Sequence, residues 1–124
     1  MLQLTTIFFL ISFSLLSAIY YLSLRLFLFW KLEWLDIPMH IFGGAIVALG
    51  VYTLRDLRFV SQCWLTTSVV LGVVLLVAIA WELFELHFGL VFDANYYVDT
   101  ASDIVLGLVG GYIGHIVGKR LHSL

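Results

Sequence analysis

Five of the chain's eight Asp and Glu lie in one stretch, WELFELHFGLVFDANYYVDTASD: Glu82, Glu85, Asp93, Asp99 and Asp103. Another, Asp36, is followed four residues later by His40 in DIPMH. The pairs Asp36/His40, Glu82/Glu85 and Asp99/Asp103 have i,i+3 or i,i+4 spacing, so on helices each pair projects from one face. Carboxylates with one imidazole suit a divalent cation. Mg²⁺, Mn²⁺ or Ca²⁺ match the oxygen-rich set, and Zn²⁺ or Fe²⁺ are also accepted by it. The expected metal ligands are Glu82, Glu85, Asp99, Asp103, His40 and Asp36, with His40 serving as ligand or as general acid/base. A lipid or lipid-linked phosphate is the substrate class such a site would handle, the metal screening its charge. Two parts of a phosphoryl enzyme are missing: a Ser or Cys nucleophile beside His40, and a basic clamp.

The surrounding chain is mostly hydrocarbon. Its 124 residues are 63% hydrophobic and 11% charged, with a mean hydropathy of +1.10. Soluble domains carry about 25% charged residues. Uncharged runs long enough to cross a bilayer recur along the sequence, which makes this an all-α, polytopic integral membrane protein. Four spans are expected, near residues 4–24, 38–54, 63–85 and 100–118, in a single bundle covering 1–124. LFLFWKLEWLDIP alternates aromatics with charges and predicts a short interfacial helix between the first two spans. The first span lacks the basic start and short core of a secretory signal and reads as retained. A net charge of −2 with no basic stripe excludes a nucleic-acid partner. The lone Cys63 cannot form an internal disulfide and is expected free, inert and buried.

Basic residues set the orientation. Arg55, Arg58, Lys119 and Arg120 fall on the face of the N-terminus, and Arg25 and Lys31 on the other. Both termini are therefore expected in the cytoplasm, with the acidic groups at the opposite interface. Depths agree: at 1.5 Å per residue, His40 lies about 22 Å from Arg55 and Asp103 about 24 Å from Lys119. No intramembrane Lys or Arg is available to neutralise these anions. An Asp at the bilayer centre costs about 2.5–3.5 kcal/mol on the insertion scale, so a cation, bound protons or both must accompany the cluster.

Plainer roles compete for several of these residues. Asp36 before Ile37-Pro38 suits an N-cap, and TASD suits a capping box of Thr100 and Asp103. Asp93 and Asn95 read as solvated loop residues, and Tyr96 and Tyr97 as interface anchors. His87, His115 and His122 read as interface or tail residues. Glu82 and Glu85 have no such role, because anions are disfavoured at a helix C-terminus. Gly107, Gly110, Gly111, Gly114 and Gly118 have small-xxx-small spacing, which reads first as helix packing. The Gly107/Gly111/Gly114/Gly118 face is also a possible contact for a membrane-protein partner or a second copy.

DIPMHIFGG, WELFE and DTASDIVLGLVGG together resemble the small bacterial inner-membrane proteins of the VanZ-like and YjdF-like type, over residues 36 to about 118. The likeness is closer to the YjdF-like form, because Glu85 stands where VanZ-like proteins tend to have Gln. Gly107 stands where Asn is frequent. The resemblance implies a multi-pass protein of the bacterial inner membrane and, for VanZ relatives, a link with glycopeptide tolerance; it implies no particular reaction. Beside the metal site, two further functions stay open: a non-enzymatic accessory subunit of a larger membrane complex, and a proton or cation pathway. The pathway would be blind-ended, since no acid falls in the cytoplasmic half of the last three expected spans.

Overall fold

The computed structural model describes residues 3–90 and 95–124. It is all-α, with no strand among the described residues. Helix α1 covers Leu4–Arg25 and α2 is the short Leu28–Lys31. A 3-10 turn, Glu33–Leu35, leads into α3, Asp36–Asp56. A second, Gln62–Leu65, precedes α4, Thr67–His87, and α5 covers Tyr96–His122. The four long helices are each long and apolar enough to cross a membrane. The interfacial element expected between the first two spans is α2 with its following turn.

Successive spans run antiparallel, so chain ends of alternate sign gather at two levels. One level holds the end of α1, the start of α3, the end of α4 and the start of α5. The other holds the remaining four ends.

Helices α3 and α5 pack closest, and glycine is the reason. A Cβ on Gly44 would run into the Gly107 carbonyl, one on Gly110 into the Ile41 carbonyl, and one on Gly114 into the Ala45 backbone. With lipid as apolar as any side chain, such close backbone approach is what holds transmembrane helices together. Gly111 and Gly118 accept Val74 and the Tyr52 ring in the same way. All five α5 glycines are buried. The face considered for a partner or second copy is therefore taken up inside the bundle, where α3 and α4 already cover it. Ala48, Val51, Tyr52, Val70 and Val74 form the core beside it.

Helix α1 is attached differently. Only 6% of its most apolar window is buried, and its buried residues are Thr5, Thr6 and Ser23 at its two ends. Many of its large apolar side chains, Phe8, Leu10, Leu15 and Leu22 among them, are exposed, where hydrocarbon would solvate them and where a backbone bonded within its own helix needs nothing more.

Several boundaries depart from the sequence expectation. The fourth span starts at Tyr96 instead of Thr100 because Asn95, expected as a solvated loop residue, caps it by accepting from the Val98 N–H at 3.3 Å. At 1.5 Å per residue its 27 residues run about 40 Å, beyond a hydrocarbon core of about 30 Å. Asp36 is the first helical residue of α3 and makes no cap bond, since the preceding 3-10 turn already carries the chain into the helix. The third span starts at Thr67, capped by the Thr66 side chain, and Cys63 is exposed in the turn before it. Asp93 lies outside the described residues.

Candidate functional site

Each side chain of the acidic cluster is placed by a helix terminus. On α3, Asp36 and His40 stand one turn apart, and the His40 Nε2 lies 3.2 Å from Asp36 Oδ1. Across the helix pair, the same nitrogen lies 3.4 Å from Asp103 Oδ2 on α5. The close α3–α5 approach at Gly44, Gly107 and Gly110 is what brings these two helices within reach.

Helix α4 adds the other half. Glu82 and Glu85 are 5% and 7% exposed, and Asp103 is 4% exposed, so three carboxylates are enclosed by protein. α4 ends soon after them because Gly89, at φ 67°, turns the chain: Leu90 N–H reaches back to the Glu85 carbonyl at 2.8 Å. This is a Schellman closure, for which glycine's left-handed freedom is needed. Thr100 on α5 donates to Glu82 Oε2 at 3.2 Å. Thr100 is thus not the cap that TASD suggested; as the fifth residue of α5, it orients a carboxylate of α4.

Two groups of potential ligands result, and they share His40. Asp36, His40 and Asp103 form one; His40, Glu82 and Glu85 form the other. Within each, one ligand atom per residue lies within 4.8 Å of the others. Two of the three helical pairs, Asp36/His40 and Glu82/Glu85, thus converge, and Asp103 joins them from the third. Asp99, in the first turn of α5, belongs to neither group. Four carboxylates and one imidazole meet, then, where as many as five carboxylates were expected. The donor set fits a hard divalent cation, with room in its coordination sphere for water or a ligand oxygen.

A cavity of about 350 Å³ opens directly beneath. Asp36, His40 and Glu85 line one part of it, and Tyr20, from α1, lines it too. The Tyr20 oxygen is enclosed and has no hydrogen-bond partner among the described residues. Its ring packs edge-on against Trp81 at 5.3 Å between centroids. Nothing in the first span singles out this tyrosine, since Tyr21 stands beside it and the sequence around both is mostly apolar.

A second polar level at the opposite ends of the helices escaped sequence reasoning. His115 was expected at the interface or in the tail, yet it is 5% exposed inside α5. Its Nδ1 and the Tyr52 hydroxyl are 3.0 Å apart, and its Nε2 and Thr67 Oγ1 3.1 Å. Nearby, Asp56 Oδ2 accepts from Thr6 at 3.2 Å, and Asp56 Oδ1 lies 3.3 Å from His122 Nδ1. The α3 helix runs on to Asp56, which brings an acid to the end where none was expected.

Fold and site together define a class: a polytopic membrane protein whose spans enclose an acidic, imidazole-bearing cluster at one end of the bundle. A family model described as "Predicted membrane protein (DUF2238)" matches residues 1–124, and the chain belongs to that family. No curated protein and no solved structure matches it.

Proposed function

We propose that the cluster binds one divalent cation, held by Asp36, His40, Glu82, Glu85 and Asp103, and that the bound ion receives the phosphate of a membrane lipid or lipid-linked compound. The observation that carries this reading is the convergence on His40 of carboxylates from three helices, most of them buried, with no Lys or Arg among the described residues that approach them. Enclosed anions without a counterion are strongly destabilising. A divalent ion would offset that charge and act as a Lewis acid toward a phosphate oxygen. His40 supplies the one imidazole of the cluster, a side chain suited to act as ligand or as general acid/base.

Oxygen donors favour Mg²⁺, Mn²⁺ or Ca²⁺ over softer metals, although Zn²⁺ or Fe²⁺ would be tolerated. The distribution of basic residues supports a non-cytoplasmic position for the site, with both termini in the cytoplasm. The likeness of DIPMH, WELFE and DTASD to VanZ-like and YjdF-like proteins supports a bacterial inner membrane. Mn²⁺ titration followed by electron paramagnetic resonance tests the reading. One ion per chain is expected in the wild type, with binding lost in a Glu82→Gln/Glu85→Gln double variant; a stoichiometry near zero in the wild type removes it.

The buried His115 and Asp56 favour a second reading, a proton pathway with polar groups at both ends. Between the two levels α5 presents Gly107, Gly110, Gly111 and Gly114 to tightly packed backbone and Val74, which offers no relay. Acid-driven flux in liposomes, abolished by Asp103→Asn, would establish it instead.

A further inference from the structure

The cavity under the cluster is polar at one end and hydrocarbon-lined at the other. Asp36, His40 and Glu85 stand at the polar end; Leu16, Phe29, Val47, Val74 and Val77 line the rest. At about 30 Å³ for each water-sized group, 350 Å³ admits about a dozen heavy atoms. That is one hydrocarbon chain, or the first dozen carbons of a longer one, and not two.

An apolar cavity within a membrane needs a route for its occupant, and the structure supplies one. A second groove of about 280 Å³ runs between α1 and α3, lined by residues that include Leu15, Ile19, Pro38 and Phe42. Leu16, Met39 and Ile46 line both spaces, so these three side chains are the partition between them. The wall is thin on the side of α1, the helix with the least buried surface. The Tyr20 hydroxyl adds a pointer to what arrives. It is an enclosed donor with no acceptor among the described residues, in the same cavity as the carboxylates. An unmade hydrogen bond of this kind is costly, and a phosphate or ester oxygen would complete it.

We infer that the cavity holds one hydrocarbon chain of the lipid whose phosphate lies at the His40 cluster, and that the chain enters sideways from the bilayer between α1 and α3. The inference rests on the metal and lipid-phosphate reading of that cluster and names the part of the substrate it leaves open. A cavity of this shape selects an amphiphile by its single inserted chain, and the cluster selects it by its head.

The test uses the full chain in phosphatidylcholine nanodiscs and dodecyl phosphate carrying a diazirine at the chain terminus. With Mg²⁺ present, photolysis is expected to label Val47 and Ala78, which line the cavity, at least tenfold more than Leu76 and Leu83, which face outward. Gly43 lines the cavity, and a Cβ built there meets nothing within 4 Å. Gly43→Leu and Gly43→Phe are therefore expected to reduce labelling at least tenfold. Gly72→Phe, an exposed position outside the cavity, is expected to leave it unchanged. Dodecanol with the same diazirine should label the cavity at least tenfold less, and excess inorganic phosphate should leave most dodecyl phosphate labelling in place. Equal labelling of Leu76 and Ala78, or labelling indifferent to both Gly43 variants, overturns the inference. The two readings fail separately. Cavity labelling that persists unchanged in EDTA supports the chain site and removes the metal; Mn²⁺ binding without cavity labelling keeps the metal and removes the chain site.

Discussion

The His40 imidazole on α3 and the Asp103 carboxylate on α5 meet at 3.4 Å, and the backbones behind them touch through glycine. The two facts are linked. A side chain as short as Asp can reach a neighbouring helix at this depth only where the helices nearly share a surface. The contact also fixes which nitrogen faces the acids: Nε2 lies against both Asp36 and Asp103.

Removing either end of this relationship should weaken metal binding. Asp103→Asn and His40→Ala are each expected to reduce Mn²⁺ affinity by at least about tenfold, a loss of about 1.4 kcal/mol. Titration with paramagnetic resonance detection measures it. Asp99→Asn serves as the contrast, because Asp99 lies outside both ligand groups; an equal loss there would place the ion elsewhere.

Thr100 orients Glu82 through one hydrogen bond. Groups that hold a metal ligand in place typically contribute about 10–100-fold to affinity. Thr100→Val should therefore weaken the ion by about tenfold, and Thr100→Ser should recover most of it. If both variants bind like wild type, the hydroxyl has no part in the site.

Protons and the cation compete for the same carboxylates and imidazole, so binding must release protons. Affinity is expected to rise with pH and to level off once the ligands are deprotonated. Isothermal titration in two buffers of different ionisation enthalpy reads the number released. A value of zero would contradict ligation by these residues.

Gly110 sits against the Ile41 carbonyl, where a side chain has no space and backbone cannot yield. Gly110→Val should separate α3 from α5 and destabilise the bundle by at least about 1–3 kcal/mol, the usual range for overpacking. Gly43→Ala, with open space at its Cβ, should be near neutral. Unfolding in mild detergent, followed by helical signal, compares the two.

The opposite polar level offers a control on stability alone. Tyr52→Phe leaves the buried His115 ring without one partner, at an expected cost of about 1–3 kcal/mol. Distant sites act independently, so Mn²⁺ affinity at the other end should be unchanged. A shift in affinity would reveal coupling between the two levels.

Much of this was legible in the residues themselves. The length and hydropathy of four segments required four spans, because a helix is the one open-ended structure whose backbone bonds are satisfied in lipid. Antiparallel order then placed Asp36, His40, Glu82, Glu85 and Asp103 at one end of the bundle, and helical spacing gave Asp36/His40 and Glu82/Glu85 a common face each. Which face of α1 turned inward was not legible. In water, an apolar stripe marks the buried side; in lipid both sides of a helix are apolar, so the pattern along α1 gave no reason to single out Tyr20. Nor did anything mark His115 as buried, since its partners Tyr52 and Thr67 come from two other helices. Close packing of three-dimensional surfaces made those choices, by way of the glycines that let α3 and α5 touch. Spans, sidedness of charge and pairwise spacing follow from hydropathy and helix geometry alone. The meeting of His40 with Asp103, the cavity beneath them and the enclosed Tyr20 hydroxyl exist only because particular backbones approach, and that is a property of the folded assembly.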